Sequence, residues 1–160
     1  ILGSGGAAKA IIYGLLQNNL SKITIINRTL SKAESIIESY QSITPNNIIA
    51  LSYDDQKLPE VLRESTTIIN TTPCGMTPNV EQTPLENLDW ASSKQTLYDT
   101  IYSPEETRLL KEAKLKGVHC INGIGMLIHQ GILAYEHFTD QPISANIFRQ
   151  ALKELTLIND

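Results

Sequence analysis

The stretch Gly3-Ser4-Gly5-Gly6-Ala7-Ala8-Lys9-Ala10 constrains this chain more than any other. Two apolar residues, Ile1 and Leu2, precede it, and Ala8, Ile11, Ile12, Leu15 and Leu16 follow at helical spacing. The order is strand, glycine turn, helix, with Gly-x-Gly-x-x-Ala at residues 3, 5 and 8. In such a turn the first glycine permits the bend and the second lets a pyrophosphate approach the backbone. The small third residue lets helix and strand pack closely. The free N–H groups and the dipole at the helix start then favour phosphate. A glycine turn alone is weak evidence, so the rest of the chain has to decide.

Downstream, short β-branched or apolar runs alternate with helical patterns. Ile23–Ile26, Ile48–Leu51, Thr67–Thr71, Thr96–Asp99 and Val118–Ile121 read as strands. A turn is expected at Asn18-Asn19. Ser31 to Glu34 has capping-box spacing, with Ala33, Ile36, Ile37 and Tyr40 following at helical intervals. Pro59 to Glu64 suggests a short helix. Ser103-Pro104-Glu105-Glu106 reads as a helix start, and Gly117 as its end. Two amphipathic helices, roughly Ile124–Phe138 and Ser144–Leu155, close the chain. Between Thr72 and Ser93 the pattern dissolves into a long loop punctuated by Pro73, Gly75, Pro78 and Pro84; loops of that length are usually functional.

This alternation predicts an α/β fold, a doubly wound Rossmann-type parallel sheet of about six strands with helices on both faces. Residues 1–160 are expected to form one nucleotide-binding domain. With no initiator methionine and two residues before the glycine turn, the chain reads as cut from a longer protein within its first strand. A net charge of −4 argues against a nucleic-acid groove or an anionic-membrane surface. Cys74 and Cys120 stand far apart, as reduced thiols of a cytoplasmic protein would. His119, His129 and His137 have no carboxylate beside them in a metal-type pattern, so no metal is expected.

The end of the second strand distinguishes between dinucleotides. An NAD-binding unit places an acid there for the ribose hydroxyls. This chain has Asn27-Arg28-Thr29 instead, with Lys32 in the next helical turn. A carboxylate would repel a 2′-phosphate, whereas a guanidinium offers it a planar fork of donors. NADP is therefore the expected cofactor.

These residues, with four further blocks, resemble the cofactor-binding half of the shikimate dehydrogenase family. The blocks are Gly3–Ala10 with Asn27–Ala33; Asn70-Thr71-Thr72-Pro73-Cys74-Gly75-Met76; Tyr98-Asp99-Thr100-Ile101-Tyr102-Ser103-Pro104; and Asn122-Gly123-Ile124-Gly125-Met126-Leu127-Ile128-His129-Gln130-Gly131. The resemblance implies that Gly3, Ser4, Gly5, Gly6 and Ala7 cradle the pyrophosphate. Asn27, Arg28, Thr29 and Lys32 would hold the adenosine 2′-phosphate, and Asn70, Thr71 and Thr72 would line the cofactor. Thr100, Ile101 and Gly123 would contact the nicotinamide, with Met126 packed near it. Tyr102 and Gln130 would reach the substrate, and Asp99 would order the turn before Tyr102.

Members of the family reduce 3-dehydroshikimate to shikimate with NADPH in aromatic amino-acid biosynthesis. Their catalytic Lys and Asp lie in an N-terminal substrate domain that no stretch here resembles. Hydride transfer needs the reacting carbons within about 3–3.5 Å, which takes both halves of the cleft. The chain alone is thus expected to bind NADP(H) with little or no turnover, and no catalytic residue is assigned within it. The face left by a missing half leaves room for a homodimer. A quinate-using paralogue, another two-domain NADP dehydrogenase and a non-enzymatic nucleotide sensor stay open as alternatives.

Overall fold

A computed structural model describes residues 1–18, 20, 22–40 and 48–154. The elements run α1 (Gly6–Leu16), β1 (Ile23–Ile26), α2 (Leu30–Tyr40), β2 (Ile48–Leu51), α3 (Leu58–Glu64) and β3 (Thr67–Asn70). They continue with β4 (Thr96–Asp99), α4 (Arg108–Leu115), β5 (His119–Ile121), α5 (Ile124–Thr139) and α6 (Ala145–Glu154). Strands β1 and β2 pair in parallel, and so do β3, β4 and β5 in that order. Leu2 joins the two sets through single parallel bridges to Ile26 and Asn70.

The strand order is therefore β2-β1-Leu2-β3-β4-β5, reversing direction about Leu2. This is the doubly wound arrangement, whose ligands lie beyond the carboxyl ends of the strands at the reversal point. One expectation needs correction: among the described residues there are five strands, and the expected first one, at Ile1-Leu2, is a one-residue bridge. The reason is local. Gly3 has φ +101°, which turns the backbone out of the extended region immediately after Leu2.

Successive strand residues face opposite ways, and the core divides accordingly. Ile23 and Ile25 pack with Ala8 and Ile12 of α1 and Ala33 and Ile36 of α2. Ile26 instead joins Leu58 and Leu62 of α3, Leu109 and Leu110 of α4, and Trp90 of the long loop. Helices thus cover both faces. A third cluster joins Ile124 and Ile128 of α5 to Leu152 of α6. There Gly131 lets the helices touch, because a Cβ on it would lie 2.2 Å from the Phe148 ring.

Two helix starts differ from the sequence reading. Ser31 does not cap α2, which begins at Leu30; the Asn27 amide donates to the Thr29 carbonyl (2.8 Å) and shapes the turn earlier. Likewise Ser103-Pro104-Glu105-Glu106 is not the start of α4. That helix begins at Arg108, capped by Thr107, whose hydroxyl accepts the Leu110 N–H. The Thr72–Ser93 loop contains neither helix nor strand, as expected. Asn19 of the expected turn and Leu155 of the last expected helix lie outside the described residues. Among the described residues, no helix is long and apolar enough to cross a membrane.

Candidate functional site

The glycine turn sits at the sheet's reversal point because the backbone leaves no alternative. Leu2 donates to the Ile69 carbonyl and Gly3 to that of Ile26, both at 2.8 Å. Thr71 closes over the turn, donating to the Leu2 carbonyl from its N–H (2.9 Å) and its hydroxyl (2.6 Å). A Cβ on Gly3 would lie 2.8 Å from the Thr71 hydroxyl oxygen, so Gly3 answers to the fold.

Gly5 and Gly6 meet no packing partner among the described residues. Apart from the adjoining residues and the backbone of α1 itself, no atom of the described residues lies within 4 Å of where their Cβ atoms would stand. Gly5 is the N-cap of α1, with no side-chain cap and no acidic residue in the first turn. The helix start therefore presents bare N–H donors and open space over a backbone that an anion can approach. That arrangement fits a dinucleotide pyrophosphate, with Ser4 and Ala7 beside it in the same turn.

Arg28 and Thr29 follow β1 at the same edge of the sheet, and Lys32 lies in the first turn of α2. Arg28 and Lys32 are exposed, and neither forms an ion pair among the described residues. Asn27 is engaged in its own turn through its amide nitrogen.

Tyr53, which the sequence reading missed, stands just past the end of β2. The backbone bond from Asn27 N–H to the Leu51 carbonyl (3.1 Å) keeps the ends of β1 and β2 level. Burial, reinforced by Cys74 and opposed by Arg28, pushes the Tyr53 phenol up to about 12. The fold therefore prefers the neutral phenol. Its stabilising contribution is present below the ordinary value of 10 and is lost as pH rises through about 12. Tyr53→Phe is expected to remove the latest-ionising phenol from an ultraviolet pH titration and to flatten the alkaline loss of stability; an unchanged titration would contradict this placement.

Between the ends of β3 and β4 lies a cleft of ≈ 410 Å³. Thr71, Thr72 and Met76 line one side, and Thr100, Ile101 and Tyr102 the other. Beneath it Asn70 and Asp99, both fully buried, bond side chain to side chain at 3.0 Å. Asp99 also accepts the Ile101 N–H (3.1 Å), so it does order the turn before Tyr102. Burial pushes its carboxyl up, and hydrogen bonds from Thr107, Ile101 and Asn70 pull it back; the net direction is up.

Gly123 meets this cleft from behind. Its N–H donates to the Ile101 carbonyl (2.9 Å), and a Cβ on it would lie 2.1 Å from the Thr100 oxygen. The structure thus gathers Thr71, Thr72, Thr100, Ile101 and Tyr102 around one cavity, with Asn70 and Gly123 supporting it.

Asn70, fully buried beneath it, and Gly123 are thus not among that lining, and neither are two further expected residues. Met126 is half-buried and Gln130 exposed, both on α5. With Gly123 they recur at the spacing of one helix face, so they extend a line away from the cleft. Met76, which also lines the cleft, is not among the residues assigned to the site from sequence, although it lies in the long loop and closes the Asn70–Met76 block. Among the described residues no set of His, Cys, Asp and Glu is gathered to hold a metal ion.

Residues 1–116 match the family model described as shikimate/quinate 5-dehydrogenase, and residues 123–153 that of the shikimate 5′-dehydrogenase C-terminal domain. The shikimate dehydrogenase (NADP(+)) of Methanopyrus kandleri is 34% identical over 154 residues, 96% of this chain and 53% of that protein. The crystal structure of Listeria monocytogenes shikimate 5-dehydrogenase in complex with shikimate and NAD is 30% identical, with a TM-score of 0.86. That match covers 94% of this chain and 54% of the other. A shikimate dehydrogenase in complex with NADP+ is 32% identical, with a TM-score of 0.83 over 99% of this chain and 54% of its own. The chain spans about half the length of the curated relatives it matches. With a family model covering residues 1–116 and this doubly wound sheet beneath it, the chain belongs to the shikimate/quinate 5-dehydrogenase family.

Proposed function

We propose that this chain is the NADP(H)-binding domain of a cytoplasmic shikimate dehydrogenase, with residues 1–160 serving as its nucleotide half. The observation that carries the reading is the open ground over Gly5 and Gly6 at an uncapped helix start. A guanidinium and an ammonium stand at the neighbouring strand end, where an NAD site would carry an acid. The names of the relatives support it: one is an NADP(+) enzyme, and another was crystallised with shikimate.

In this reading the α1 N–H groups hold the pyrophosphate, and Arg28 and Lys32 hold the 2′-phosphate. Thr71, Thr72, Thr100 and Ile101 flank the nicotinamide, with Met126 beside it, while Tyr102 and Gln130 face the substrate. When bound, the cofactor's chemistry would be hydride donation to the keto carbon of 3-dehydroshikimate. Its catalytic acid and base come from the other half of the enzyme, so the chain alone binds cofactor and turns over little shikimate.

Titration of the chain with NADPH and NADH, before and after Arg28→Ala, tests the reading. Wild type should prefer NADPH by roughly 10–100-fold, and the substitution should erase that preference. Equal binding of both cofactors by wild type would sink it.

A further inference from the structure

Beneath the cleft runs a string of buried polar groups longer than a helix cap requires. Thr107 is fully buried, and its hydroxyl donates to Asp99 Oδ2 at 2.7 Å while accepting the Leu110 N–H. Asp99 Oδ1 accepts from Asn70 Nδ2 (3.0 Å) and from the Ile101 N–H (3.1 Å). Asn70 Oδ1 in turn accepts the Thr72 N–H (2.9 Å) and the Thr72 hydroxyl (2.7 Å). The Thr72 hydroxyl then accepts the Cys74 N–H (3.3 Å). The string ties the start of α4 to both walls of the cleft, although Thr107 is not among the residues that line it.

An N-cap needs only one acceptor oxygen, which Ser, Asp or Asn also supplies. Asp or Asn here would set a second carboxyl or amide against Asp99. The long loop also passes close by: a Cβ on Gly75 would stand 3.4 Å from Thr107 Cγ2. A buried carboxylate keeps one geometry only while its oxygens have donors. Without the hydroxyl, Oδ2 of Asp99 loses its donor, and the carboxylate is freer to rotate away from Ile101 and Asn70.

We infer that Thr107 is a positioning residue for the nicotinamide end of the cofactor site, fixing the Thr72 and Ile101 walls through Asp99 and Asn70. The inference rests on the cofactor reading above, and the adenosine end supplies the control. Arg28 and Lys32 follow β1, and none of the hydrogen bonds of the string described above reaches them.

The test compares Thr107→Val and Thr107→Ser in the full chain, titrated with NADPH and with 2′,5′-ADP, which carries the adenosine end alone. The valine variant should bind NADPH about tenfold more weakly and 2′,5′-ADP within about twofold of wild type. The serine variant should restore NADPH binding. Amide exchange at Thr72 and Ile101 should be faster in the valine variant than in the serine variant, with or without ligand. Wild-type NADPH affinity in Thr107→Val, equal weakening of both ligands, or failure of serine to rescue would each overturn the inference. If neither Thr107→Val nor Thr107→Ala folds while Thr107→Ser does, the hydroxyl serves folding alone, and the inference is likewise overturned. Should wild type bind neither ligand, the cofactor reading fails instead, and the exchange comparison still decides whether Thr107 holds the two walls.

Discussion

Gly123→Ala is expected to lower stability by roughly 3–5 kcal/mol, more than overpacking usually costs. Gly123 has φ −78° and ψ −2°, an ordinary conformation for any residue, so no left-handed turn is involved. Space is the constraint. The new Cβ would lie 2.1 Å from the Thr100 carbonyl oxygen and 2.5 Å from its carbon. Overpacking a core usually costs about 1–3 kcal/mol because side chains shift to make room. Here both obstacles are backbone, fixed on one side by the Thr100 N–H to Asn70 carbonyl bond and on the other by the Gly123 N–H to Ile101 carbonyl bond. Either α5 moves away from the end of β4, or the Thr100–Ile101 turn bends into the cleft. Urea unfolding should show a much lower midpoint, and NADPH binding should fall with it. A midpoint like that of wild type would mean that α5 and β4 do not approach as closely as described.

That contact also marks where the sequence stops being legible. The strand cores at Ile23–Ile26, Ile48–Leu51 and Thr96–Asp99 could be read directly, because a buried parallel strand writes itself as a short β-branched or apolar run. The glycine turn could be read because its meaning is local: a bend, an open approach and a helix start within eight residues. The need for glycine at 123 depends on a backbone 23 residues earlier in the chain, and no pattern near 123 carries that information. The start of α4 was misread for a related reason. Ser103 to Glu106 has the composition of a helix start, but the residue that caps the helix, Thr107, is held by Asp99 from another element. Tyr53 shows the same limit, since only the level ends of β1 and β2 bring it near Arg28. The resemblance carried Tyr102 to the cleft wall, while Gln130 came to lie on an exposed helix face outside that cavity.

Gly5→Val should separate binding from folding, which few changes in this chain can do. Gly5 sits at φ −83° and ψ −168°, extended backbone that valine adopts readily, and beyond its chain neighbours no atom of the described residues lies within 4 Å of its Cβ position. The cost to the fold should stay within about 1 kcal/mol, set by the poorer N-cap and partly offset by a less flexible unfolded chain. Binding should suffer far more. The branched side chain would stand over the bare N–H groups of α1, where a pyrophosphate has to approach within hydrogen-bond distance of the backbone. A loss of at least about a hundredfold in NADPH affinity is expected, because the phosphates lose their donors and meet apolar surface. Gly3 offers the contrast, since its φ of +101° and the Thr71 hydroxyl at 2.8 Å leave no room for a side chain on structural grounds alone. Retained affinity in Gly5→Val would remove the phosphates from this turn. A collapse of stability would show that the bare backbone at Gly5 serves the fold and not a ligand.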